Sequence, residues 1–334
     1  MSPAGCQRRA LPALLAAALV ALAGPACRGR SGPGPLRVGY FPNVTHAQAL
    51  VGLHEGSFAR AVGVPLQARS FNAGPAEMEA LLSGDLDVAY AGPGPTAIAY
   101  LRSHGEALRV VAGAVSGGAV LVVRPEIRAA ADLAGKRVAS PQLGNSQDVA
   151  LRTWLRAQGL TDGPGPGHVE VTPLSNPDVV SLFARGDLAG AWVPEPWGAR
   201  LLAEVSGHVL VDERTLWPGG RFPATLVVVS ARALREKRPA LAALLREHLA
   251  LSAAWRRDPA DFSRRVNEAY GALAGKRLSP EVLAGAFSRM EPATDPMGGP
   301  LADMARRAQA LGFAPAGDVS DMVDGSLLQE LARR

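Results

Sequence analysis

Residues 74–101 read GPAEMEALLSGDLDVAYAGPGPTAIAYL, two glycine-proline turns, each opening a helix, around one short apolar run. Asp87 to Ala91 has the length and content of a buried strand, Gly92-Pro93-Gly94-Pro95 prevents its continuation, and Thr96 onward is apolar at helical spacing. The earlier turn, Asn72-Ala73-Gly74-Pro75 before a helix from Ala76 to Ser83, repeats the device. The first amides of a helix lack partners within it, the macrodipole adds positive potential there, and glycine lets a ligand approach the backbone. In open α/β sheets ligands sit at such strand ends.

Outward from this stretch the alternation continues. Strands are expected at 36–41, 64–71, 87–91 and 108–114, with helices at 47–61, 76–83 and 96–104. After Ser116-Gly117-Gly118 and a strand at 119–123 the cycle restarts at Asp132, with strands at 137–140, 169–173, 190–193 and 209–212 and helices at 146–158, 178–185 and 197–205. This spacing predicts parallel pairing with helices on both faces of each sheet, in two similar α/β halves. From Ala231 the pattern is helical only, led by an amphipathic stretch at 232–257 and followed by shorter helices to residue 331. This tail is expected to pack on the first lobe after the chain crosses back near 221–229.

Arg8 and Arg9 precede a 14-residue apolar run, 10–23, and a small-residue end at Gly24-Pro25-Ala26-Cys27, which reads as a secretory signal over 1–26. The run is shorter than the roughly 18 residues of a membrane span. Cys27 resembles the acylated cysteine of a bacterial lipoprotein, although Gly24 and Pro25 depart from the usual lipobox; cleavage near Ala26 to a soluble product is the alternative. Residues 27–35 are expected to be a flexible tether. Cys6 lies in the part removed, so a chain starting at Cys27 has no disulfide and no cysteine metal cluster. Net charge is +5 over 334 residues, the arginines are dispersed, and nucleic-acid binding is not expected.

GYFPNVTHAQALVGL (39–53), FNAGPAEMEALLSGDLDVAYAGPGP (71–95), SGGAVLVVR (116–124), DLAGKRVASPQLGNSQDVALRTWL (132–155), GAWVPEPWGARL (190–201) and VDERTLWPGGRFPATLVVV (211–229) together resemble the substrate-binding proteins of ABC importers for aliphatic sulfonates, nitrate and taurine. The resemblance implies a bilobed α/β periplasmic binding protein of type II, with 36–118 as the first part of lobe 1, 119–222 as lobe 2, and 223–334 completing lobe 1 and adding the helical tail. It implies closure on a small oxyanion about hinges near 116–120 and 212–223. It also implies delivery to permease and ATPase subunits from the periplasm or cell envelope, by a monomer held through a lipid on Cys27, with no cofactor, metal or catalysis.

Candidate ligand contacts in lobe 1 are Asn43, Thr45 and His46 after the first strand, Gly74, and Gly94, Pro95 and Thr96. Thr45 and Thr96 equally suit capping of their own helices. Ser116, Gly117 and Gly118 lie where the chain leaves the first lobe, as cleft wall or as hinge. In lobe 2 the candidates are Gln142, Asn145, Ser146 and Gln147 at a helix start, and Trp192 and Glu195 in WVPEPW, with a packing role for one of Trp192 and Trp197 left open. A carboxylate beside a bound anion is unfavourable, so Glu195 needs a partner, an arginine such as Arg200 or a ligand amine first, a bound cation or solvent otherwise. The competing readings are a small-molecule enzyme or a signalling sensor on the same scaffold, or an importer receptor for a vitamin precursor. The scattered histidines show no Ser-His-Asp order and no HExxH spacing.

Overall fold

The computed structural model describes residues 34–333; the signal segment, Cys27 and most of the tether lie outside the described residues. Eleven strands are described: β1 (Leu36–Tyr40), β2 (Leu66–Ser70), β3 (Val88–Ala91), β4 (Leu108–Gly117), β5 (Ala119–Val123), β6 (Arg137–Ser140), β7 (Glu170–Pro173), β8 (Gly190–Pro194), β9 (His208–Asp212), β10 (Pro223–Ser230) and β11 (Met290–Pro292). They form a six-stranded sheet in the order β11-β4-β10-β3-β1-β2 and a five-stranded sheet in the order β7-β6-β8-β5-β9.

The expected parallel pairing holds for β1 with β2 and β3, and for β6 with β7 and β8. It fails where the chain changes lobes. β10 returns from lobe 2 and inserts antiparallel between β3 and β4, and β5 arrives from lobe 1 and inserts antiparallel between β8 and β9. Each sheet is therefore completed by the strand next to the crossing, which is why the lobes are joined by two short segments. At the first crossing Gly117 and Gly118 both have φ of 78°, and a Cβ on Gly117 would fall 2.4 Å from the Arg289 carbonyl oxygen. β11, absent from the sequence reading, adds an antiparallel edge to β4.

Helix bounds shift in physically plain ways. The helix expected over 47–61 is two, Ala47–His54 and Ser57–Val62, parted at Gly56 with φ of 70°. The helix after β3 begins at Pro93, so both prolines of GPGP occupy its first turn, where a missing N–H breaks no intrahelical bond. The long tail helix is likewise two pieces, Ala231–Glu236 and Arg238–Arg257.

The tail does pack on lobe 1: Leu241, Leu244, Leu245, Leu251 and Trp255 join a core with Leu36, Val38, Leu50, Phe58 and Tyr90. It also reaches lobe 2, which the sequence reading did not foresee. Gly285, in the helix Pro280–Phe287, lies so close to lobe 2 that a Cβ on it would be 3.4 Å from that of Ala199. Met304 and Ala308 of the helix Gly298–Ala310 share a cluster with Ile98 of lobe 1 and Val149 of lobe 2. Arg307 of that helix stacks its guanidinium 4.1 Å from the centre of the Trp217 ring.

Candidate functional site

The carboxyl ends of β1, β3, β6 and β8 converge between the lobes on a cavity of about 30 Å³, lined by Phe41, Asn43, Thr45, His46, Gly74, Gly92, Pro95, Asn145, Ser146, Gln147, Pro194 and Ala224. Eight of the sixteen residues predicted from sequence to touch a ligand are on this wall: Asn43, Thr45, His46, Gly74, Pro95, Asn145, Ser146 and Gln147. Phe41, Gly92, Pro194 and Ala224 were not foreseen. Phe41, Gly92 and Pro194 stand at or just past strand ends, where the strand-end rule points. Ala224 is near the start of β10, which reaches the same rim only because β10 is antiparallel.

Each lobe fixes its own loop. In lobe 2 the buried Asp148 accepts from Ser140 Oγ (2.7 Å), from the Gly144 amide (2.9 Å) and from Arg152 Nε (3.0 Å), and its amide donates to Asn145 Oδ1 (2.8 Å). Asn145 is thus the N-cap of the helix Ser146–Ala157. In lobe 1 the Phe41 amide donates to His46 Nδ1 at 3.3 Å, and their rings lie 4.4 Å apart. Burial lowers the His46 pKa to about 3, so the ring is neutral.

The lobes touch across the cavity. The Gly94 amide donates to Ser146 Oγ (3.1 Å), and Trp197 Nε1–H donates to Asn43 Oδ1 (3.0 Å). A Cβ on Gly94 would stand 2.9 Å from Ser146 Cα, so glycine is what permits this approach. The lining has no lysine, arginine or carboxylate. Behind it, in the helix Gly74–Leu82, both Glu77 carboxyl oxygens are buried without a hydrogen-bond partner, and burial pushes that pKa well above its ordinary value.

Several expected contacts are corrected. Thr96 donates its hydroxyl to the Gly92 carbonyl (2.7 Å) and its amide to the same oxygen (3.3 Å), so it serves its own helix. Pro95 lines the wall but has no N–H, and the Gly94 amide is taken by Ser146, so this helix start offers no open row of amides. Trp192 points to the other face of β8, where its N–H donates to Glu213 (2.8 Å) and its ring meets Trp154 at 6.0 Å. Residues alternate faces along a strand, and this one is in the lobe 2 core.

Glu195, fully buried, is bound by Arg289 (3.0 Å) and the Ala199 amide (2.9 Å), whereas Arg200 pairs with Glu204. Ser116 lies beside the first crossing on a separate 770 Å³ cavity with Asp212, Arg214 and Arg289. Gly117 and Gly118 form the crossing, and Gly118 O accepts from the Glu195 amide (2.8 Å). Gln142 lines a 510 Å³ opening between β2 and β7, the outer edges of the two sheets. Among the described residues no cluster of His, Cys, Asp and Glu could hold a metal, and no helix is long and apolar enough to cross a membrane.

A bilobed α/β molecule with its cleft at the strand ends has known counterparts. The alkanesulfonate-binding protein SsuA from Xanthomonas axonopodis pv. citri, bound to MOPS, superposes with a TM-score of 0.69 at 23% identity, covering 85% of this chain and 95% of that one. The periplasmic nitrate-binding protein NrtA from Synechocystis PCC 6803 gives a TM-score of 0.74 at 14% identity, covering 90% of this chain and 88% of that one. The fold is thus that of the type II periplasmic binding proteins. In sequence, the taurine-binding periplasmic protein of Escherichia coli K12 is 30% identical over 195 residues, and the match spans 57% of each chain. Residues 29–269, well over half the sequence, match the NMT1-like family, and the chain belongs to that family.

Proposed function

We propose that the chain is the substrate-binding receptor of an ABC importer, that it holds a small oxyanion such as an aliphatic sulfonate, taurine or nitrate between its lobes, and that it passes this ligand to permease and ATPase subunits. The observation that carries this reading is the cavity wall: polar groups from both lobes, neutral side chains only, at the converging strand ends. Oxyanions are commonly held by hydrogen-bond donors without a counter-charge, in a site closed from water, where each bond is strengthened by the low dielectric. The binding proteins for taurine, alkanesulfonate and nitrate that this chain resembles support the same class. The receptor works in the periplasm or cell envelope, anchored by a lipid on Cys27, and as a monomer.

A thermal-shift panel of ethanesulfonate, taurine, nitrate and bicarbonate tests the reading. A ligand at about 100 times its dissociation constant adds roughly 2.7 kcal/mol of stability. At least one member is expected to raise the unfolding midpoint and to be recovered unchanged after long incubation. No shift with any of them, or chemical turnover of the ligand, contradicts it.

A further inference from the structure

Three polar side chains on the cavity wall are held by the protein in one sense. Indole and backbone N–H groups can only donate, so a side chain that bonds to one must use an acceptor to do so. Trp197 Nε1–H takes Asn43 Oδ1, the Phe41 amide takes His46 Nδ1, the Asp148 amide takes Asn145 Oδ1, and the Gly94 amide takes a lone pair of Ser146 Oγ. What remains for a guest on Asn43, His46 and Asn145 is hydrogens, at Nδ2, Nε2 and Nδ2, while Ser146 keeps its hydroxyl hydrogen and one lone pair. A proton on His46 Nδ1 would meet the Phe41 amide hydrogen, so the ring stays the Nε2–H tautomer. Like Ser146, Thr45 and Gln147 have no fixed sense, so the bias comes from the other three.

We propose that the cleft is a donor-biased filter, which accepts oxyanions carrying no proton and rejects equally sized and equally charged ones that bear a hydroxyl, with Trp197 as the positioning residue that keeps Asn43 turned as a donor. This rests on the oxyanion reading above. A hydroxyl brought against three fixed donors leaves buried hydrogens unpaired, and a site built for one hydrogen-bond pattern rejects its complement strongly.

The test is calorimetry of the full chain with methanesulfonate and methylphosphonate at about pH 5, below the second ionisation of a phosphoryl group, where the two are monoanions of one shape differing by a single O–H. Methanesulfonate is expected to bind at least about tenfold more tightly. Trp197→Phe frees the Asn43 amide to turn over and is expected to shrink that ratio. Asn43→Asp keeps the shape, places an acceptor toward the guest, and is expected to shrink it further even if Trp197→Phe fails to fold. General destabilisation weakens both ions alike and leaves the ratio unmoved. Equal affinities in the wild type, or a ratio unchanged in the folded variants, overturns the filter. Failure of both ions and of nitrate to bind overturns the oxyanion reading itself, and the filter with it.

Discussion

Glu213, in the segment returning from lobe 2 to lobe 1, is a single carboxyl that accepts from Trp192 Nε1–H at 2.8 Å and from Trp217 Nε1–H at 3.4 Å. Burial pushes its pKa to about 7; the two indole bonds and the Arg307 charge draw it back down, and the Asp212 charge adds to the rise. Below the ordinary carboxylate range both the native and the unfolded chain carry this proton, and Glu213 adds no pH dependence. As pH rises toward 7 the unfolded chain releases the proton while the native chain keeps it, so stability falls, by about 3 kcal/mol over that window, and levels off above. Chemical denaturation between pH 4 and 8 is expected to show the decline in the wild type and a flatter profile in Glu213→Gln; identical profiles would remove Glu213 as its source. Trp217 lies four residues beyond Glu213, but the local sequence did not point to this, since it also depends on Trp192 brought in from β8. WVPEPW was legible as a cleft turn, but which indole faces the cleft was settled by the alternation of β8 and by Asn43 lying opposite Trp197.

At the scale of elements, the turn after β8 is tied to the tail by one buried ion pair, Glu195 with Arg289, at 3.0 Å. Arg289 lies between the helix Pro280–Phe287 and β11, so the pair fastens an addition on lobe 1 to lobe 2. Removing one partner of a buried pair leaves the other charge stranded, at a cost of about 3–5 kcal/mol. Arg289→Ala is therefore expected to lower stability by about that much, and Glu195→Gln to weaken taurine and ethanesulfonate equally, because the partner of Glu195 is the protein's own arginine. A loss confined to taurine in calorimetry would put the ligand amine back beside Glu195. The helices and most strands were legible from periodicity and from glycine-proline punctuation, which are local signals. The antiparallel insertion of β5 and β10, the short edge β11 and the reach of the tail to lobe 2 were not, because each is decided by what the segment meets far along the chain.

For the whole molecule, the proposed function rests on the approach of two lobes that share two crossings and a clasping tail. Lobe 1 brings Asn43, Thr45, His46 and Gly74 to the wall and lobe 2 brings Asn145, Ser146 and Gln147, so neither lobe holds the site alone. The existence of such a cleft was legible in the repeated strand–turn–helix pattern. Its closeness was not: Gly94 against Ser146 is a contact between turns some fifty residues apart. That contact offers the most direct test of a receptor that works by closing. With the lobes together Gly94→Ala puts a Cβ 2.9 Å from Ser146 Cα on the opposite lobe, whereas with the lobes apart it would have no such neighbour and the helix start would tolerate alanine. Titration of wild type and Gly94→Ala with ethanesulfonate, taurine and nitrate, followed by calorimetry, is expected to give saturable one-to-one binding in the wild type. In the variant, affinity is expected to fall at least about tenfold, with the ligand-free unfolding midpoint changed little, as for any mutation that blocks a binding-competent state. Equal affinity in the two proteins, or no binding by the wild type, would contradict it.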